Sequence, residues 1–99
     1  MWIEYHLEFL NETGEENSVN MTLNTEYIVG QSYWPTQKKG ISAAHQLILM
    51  PGTSNLIHFF KTSDEAIDVY HGFLMALQGH HYDLMDNLGY ISVIKNNDD

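Results

Sequence analysis

The chain has 99 residues, 43% of them hydrophobic and 12% aromatic, which supports one compact domain over residues 1–99 and leaves no room for a second. Thirteen Asp and Glu stand against four Lys and no Arg, for a formal charge of −9, so the basic footprint needed to bind nucleic acid or an anionic membrane is missing. Cysteine is absent, which removes disulfides, thiolate nucleophiles and Cys-type zinc sites.

Met1-Trp2-Ile3-Glu4 lacks the basic start of a secretory signal, and the apolar run Leu47–Met50 is far short of the ~20 residues of a membrane span. The expectation is a soluble cytoplasmic protein.

Residues 2–10 read as a strand, because Ile3, Tyr5, Leu7 and Phe9 alternate with Glu4, His6 and Glu8. Asn11 to Ser18 holds turn formers and no apolar side chain, so it is a solvated loop. Val19, Met21 and Leu23 then alternate with Asn20, Thr22 and Asn24, which completes an antiparallel hairpin. From Thr25 to Trp34 a short helix capped by Thr25 competes with a strand bent at Gly30, and β-branched and aromatic enrichment favours the strand. Pro35 to Gly40 reads as a loop carrying Lys38 and Lys39. Two apolar runs, 43–50 and 55–61, flank the turn Pro51-Gly52-Thr53-Ser54 and predict a central buried hairpin.

The spacing predicts one principal amphipathic helix over about 63–78. Thr62 and Glu65 form a capping box, Asp64 and Glu65 suit the positive end of the helix dipole, and Gly79 ends it. Ile67, Tyr70, Leu74 and Leu77 mark its apolar stripe, widened by Ala66, Val69, Phe73 and Ala76, with Asp64, Asp68, His71, Met75 and Gln78 on the other side. His80 to Leu88 reads as a short helix stopped by Gly89, Tyr90 to Ile94 as a last strand, and residues 95–99 as a polar tail. The fold class is therefore α+β: a mainly antiparallel sheet of four to six strands with the helix packed on one face.

Little in this pattern is catalytic. Asp68 and His71 are spaced to pair on the helix surface, but a base alone makes no active site, and no nucleophile elbow or phosphate-binding glycine motif occurs. His80, His81 and Asp83 offer metal donors, yet adjacent histidines diverge on a helix and the spacing matches no zinc motif; these three are minor candidates. No cofactor signature is present, and the expectation is a protein that is not an enzyme.

The charge is segregated. Residues 1–26 contain six acids and no Lys, residues 27–61 three Lys and no acid, and residues 62–99 seven acids and one Lys. A fold that brings the two terminal segments together gathers negative potential, which suits fast capture of a basic partner. The sequence thus predicts a non-catalytic binding protein, a stoichiometric inhibitor of the immunity or phage anti-defence type that occludes a basic surface of another protein, a nucleic-acid-binding surface being one such target. Its candidate contacts are Glu4, Glu8 and Glu12 on one side, Asp64, Glu65 and Asp68 on the other, and Tyr33 and Trp34 as aromatic anchors. The alternative is a small assembly subunit that forms a homo-oligomer through its sheet; a third reading is a His-dependent metal-binding protein.

Overall fold

The computed structural model describes residues 1–50 and 55–95. Within them an antiparallel sheet of seven strands carries one α-helix. The strands are β1 (Trp2–Leu10), β2 (Glu16–Asn24), β3 (Ile28–Lys38), β4 (Ile41–Leu49), β5 (Leu56–Phe60), β6 (Tyr82–Asp83) and β7 (Gly89–Ile94), and the helix is α1 (Ser63–Leu77). The expected α+β arrangement holds, with a two-residue strand, β6, that alternation is too short to reveal.

The sheet path is β3-β4-β5-β1-β7-β6, with β2 also on β1. β2 follows β1 along its full length, from Trp2↔Asn24 to Leu10↔Glu16, so the hairpin loop shrinks to residues 11–15 and Glu16 to Ser18 join the strand. β7 pairs with β1 from Trp2↔Ile94 to Leu7↔Gly89, whereas β5 meets β1 only at Leu10↔Phe59. β1 thus stands at a fork between β7 and β5.

Two expected boundaries move. Residues Thr25–Tyr27 form a single 3₁₀ turn whose cap is Asn24, its side chain accepting from the Glu26 amide, before β3 begins. The segment expected as a loop, Pro35 to Gly40, is strand as far as Lys38. Proline is tolerated there because β3 pairs with β4 alone among the described residues, so no ladder bond is lost on its outer side. Register irregularities at Ile28/Gly30 and Pro35/Lys38 mark where it bends. The expected central hairpin is β4–β5, and its turn at 51–54 lies outside the described residues.

The capping box of α1 is formed: Thr62 Oγ1 accepts from the Glu65 amide at 3.2 Å and Glu65 Oε1 accepts from the Thr62 amide at 3.0 Å. The centre of the buried face differs from the expected stripe. Ala66, Val69, Gly72, Phe73 and Ala76 are buried, while Ile67, Tyr70, Leu74 and Leu77 are half-buried flanks. At Gly72 the helix lies so close to the sheet that a Cβ would stand 2.9 Å from Ile91 Cδ1 and 3.0 Å from Tyr82 Cδ1, which shifts the buried centre to this side of the helix. Ile3, Tyr5, Leu7, Ala43, Leu47, Phe60, Leu84, Leu88 and Ile91 complete this core.

After α1 the expected second helix is absent. Tyr82–Asp83 pair with β7, and Met85–Asn87 make a tight turn in which Asp86 (φ 52°) and Asn87 (φ 59°) are both left-handed, a conformation that Asp and Asn tolerate better than other residues. Gly89 (φ 132°) must be glycine, since any Cβ there would overlap the His6 carbonyl oxygen.

Candidate functional site

The outer face of β1 carries Glu4 and Glu8, both exposed as the alternation requires. Between them His6 Nδ1 lies 2.9 Å from Asn20 Oδ1 and Nε2 lies 2.9 Å from Glu8 Oε1. Two oxygen acceptors favour the imidazolium, which donates from both nitrogens, so the hydrogen bonds to Asn20 and Glu8 hold the His6 pKa above its ordinary value. Farther along, the same face turns apolar: Trp34, Ala44, Phe59 and Leu10 share one cross-strand row, and Ala44 and Leu10 are buried.

A groove of about 310 Å³ opens at the fork of β1. Its apolar lining is Phe9, Leu10, Phe59, Phe60 and Leu88, and its charged lining is Glu8, Glu16, Glu65, Asp86 and Lys61. Two of these carboxylates come from the first acidic segment and two from the last, so the fold brings the two together here. The Glu8 amide donates to the Leu88 carbonyl at 2.7 Å, which fixes the turn bearing Asp86 against β1. Lys61 Nζ faces Glu16 Oε1 at 3.6 Å, an exposed and loose pair. Lys38 lies 5.5 Å from the centre of the Phe59 ring, so an aromatic of the groove already receives a cation from the protein itself.

The sequence-predicted residues divide around this groove. Glu8 and Glu65 line it, although Glu65 also caps α1. Glu4 and Asp64 are exposed outside its lining. Glu12 is exposed in the β1–β2 turn; a side chain on Gly14 of that turn would come within 3.8 Å of the Lys39 carbonyl, so this acidic turn meets the lysine-bearing β3–β4 turn. Asp68 is a structural anchor: its carboxylate accepts from the Tyr82 hydroxyl at 2.5 Å and from the Met85 amide at 2.8 Å, and that hydrogen bond raises the Tyr82 pKa. It is therefore not the partner of His71, which packs edge-on against the Tyr70 ring.

Tyr33 and Trp34 sit within β3 and face opposite sides of it, since successive strand residues alternate. Tyr33 is exposed and packs edge-on against Tyr70 at 5.1 Å, whereas Trp34 is half-buried in the outer apolar row. His81 Nε2 lies 2.8 Å from Asp83 Oδ1 and its ring stacks on Tyr90. Among the described residues no three His, Cys, Asp or Glu side chains gather as metal ligands do.

Sequence reasoning missed Glu16, which it placed in a loop, and it counted Asp86 only as an extension of the acidic field because its turn was read as helix. The pair Asp86-Asn87 ahead of Leu88-Gly89 carried the signal, as Asp and Asn accept left-handed backbone. Sequence reasoning also missed the buried histidine pair. His45 and His58 are direct cross-strand partners at 0% and 5% exposure. His45 Nε2 donates to Gln31 Oε1 at 2.7 Å, Gln31 Nε2 donates to the Tyr70 carbonyl at 3.1 Å, and the His45 ring stacks on Phe73. His58 packs edge-on against Phe9 at 4.4 Å. Both Nδ1 atoms and the Tyr5 hydroxyl are buried without a hydrogen-bond partner among the described residues. Burial holds the His45 pKa down to about 3, helped by the neighbouring His58, and that of His58 down to about 4.

Compared with family models, curated proteins and solved structures, the chain matches none. Among the described residues no helix is long and apolar enough to cross a membrane.

Proposed function

We propose that this is a non-catalytic binding protein, a stoichiometric inhibitor of the immunity or anti-defence kind, which occludes a basic surface of a partner protein. The observation that carries the reading is the groove at the fork of β1, whose lining joins Glu8 and Glu16 from one acidic segment to Glu65 and Asp86 from the other, together with Phe9, Phe59 and Phe60. A cationic side chain entering it exchanges water for carboxylates at the rim and for a ring face below, and arginine uses both. Lys61, on its loose pair with Glu16, is the positive charge that such a side chain displaces.

The partner is captured with tagged protein from the native host, and the purified pair is then examined for association rate against salt. The double reversal Glu8→Lys with Asp86→Lys is expected to slow association at least about tenfold and to flatten its salt dependence. Glu26→Lys serves as the control, because Glu26 follows the β2 end that pairs with Trp2, roughly 25 Å along β1 from the groove. Equal rates for the two variants would falsify the groove as the contact.

A further inference from the structure

Among the described residues β2 pairs with β1 alone, which leaves one edge open along nine residues. The groups on that edge follow from the ladder. The Glu8 amide donates toward β7, so backbone alternation turns the N–H and C=O groups of even-numbered β1 residues to β7 and those of odd-numbered ones to β2. The Thr25 amide donating to the Met1 carbonyl at 2.8 Å agrees with this. In β2 the residues opposite the odd β1 positions, Asn17, Val19, Met21 and Leu23, therefore use their backbone groups on β1. Ser18, Asn20 and Thr22 turn theirs outward and are all exposed. Only the Ser18 amide of these three has a side-chain acceptor, Asn17 Oδ1 at 2.8 Å.

The other outer strands are protected against pairing. β3 carries Pro35, Lys38 and two register irregularities, and β6 has two residues. β2 has no Pro or Lys and runs against β1 without a bulge. Its half-buried Val19, Met21 and Leu23 lie at the margin of the core, because α1 packs chiefly over β3 to β7.

We propose that β2 pairs antiparallel with β2 of a second copy about a two-fold axis at Asn20, making one sheet continuous across a dimer. An axis there engages all nine residues. Asn20 opposes Asn20, Ser18 opposes Thr22, and Glu16, the sole charge of the strand, opposes Asn24, so no like charges meet. On the other face Val19 opposes Met21. A chain of charge −9 repels its own copy almost everywhere, and β2 offers a neutral, self-complementary run of eight residues from Asn17 to Asn24. The acids nearest the joint, Glu16 and Glu26, still repel across it, so the dimer tightens as salt rises, the opposite of what groove capture requires.

The test measures molar mass by sedimentation across protein concentration at low and high salt. Thr22→Pro deletes an outward N–H and leaves the β1 ladder intact; Thr22→Val keeps that N–H. Asn20→Asp retains the acceptor for His6 and sets two carboxylates face to face on the axis. The wild type and Thr22→Val are expected to dimerise, more tightly in high salt. Thr22→Pro and Asn20→Asp are expected to weaken the dimer at least about tenfold. A wild type that stays monomeric at millimolar concentration overturns the proposal, as does a dimer that neither of these two variants weakens. Should Thr22→Pro fail to fold, Asn20→Asp carries the same decision.

Discussion

Acid should destabilise this protein through two buried histidines. His45 and His58 are neutral in the fold, with pKa values held to about 3 and about 4, whereas in the unfolded chain each returns to about 6.5. Below pH 6.5 the unfolded state binds protons that the folded state refuses, so the free energy of unfolding falls with pH. At pH 5 each histidine costs about 2 kcal/mol relative to pH 7.5, and the pair about 4 kcal/mol, because the unfolded pKa exceeds the pH by 1.5 units at about 1.4 kcal/mol per unit. The figure depends little on the folded values, provided that both lie below the pH examined. For a domain of this length, about 4 kcal/mol is a large part of the 5–15 kcal/mol typical of total stability. His6 acts in the opposite sense: its raised pKa adds stability in acid, which is lost as pH rises through that folded value.

Urea unfolding at pH 7.5, 6 and 5 reads the slope directly, and ring NMR signals of His45 and His58 should stay unshifted to pH 5. His58→Leu removes one titrating group, together with its unpartnered Nδ1, and should about halve the slope. Stability that does not change from pH 7.5 to 5, or a His45 ring that titrates near 6.5, would exclude the two histidines as the source of acid lability.

Three further outcomes are expected. Gly89→Ala forces a Cβ onto the His6 carbonyl at φ 132°, and should cost more than about 3 kcal/mol or prevent folding, as judged by urea midpoint or soluble yield. Tyr5→Phe deletes a buried hydroxyl that has no hydrogen-bond partner, and should raise stability by about 1 kcal/mol, with an unchanged m-value; a loss of 1 kcal/mol would show that the hydroxyl is satisfied. Asp68→Ala should cost about 2–3 kcal/mol and expose the amide of Met85 to faster hydrogen exchange, since that amide and the Tyr82 hydroxyl both donate to the lost carboxylate.

What could be read from sequence was whatever repeats along one element. The alternation in β1, the capping box at Thr62 and the apolar periodicity of α1 are local, and each is in place. Features that depend on a distant neighbour stayed hidden. Gly72 is central to the helix face because Ile91, Tyr82 and Leu84 crowd it, and Asp68 left the solvated side because Tyr82 and Met85 required its oxygens. His45 and His58 look unremarkable 13 positions apart, and only the β4–β5 register makes them partners.

The charge follows the same rule with a different outcome. Its segregation along the chain was plain, but segregation in sequence is not separation in space. Lys61 returns to Glu16, and the Lys39 backbone lies beside the turn that carries Glu12 and Glu15, so the basic middle segment meets the first acidic segment at both places. Glu8, Glu65 and Asp86 still converge at the fork of β1, where Glu8 is paired with His6 and Lys61 shares the lining. β2 pairs with that same β1, and its neutral edge faces away from it. The proposed groove contact, which Glu16 and Asn17 of β2 help to line, should weaken as salt rises, and the proposed β2 pairing should tighten. Ionic strength alone should tell which of the two surfaces holds any complex that this protein forms.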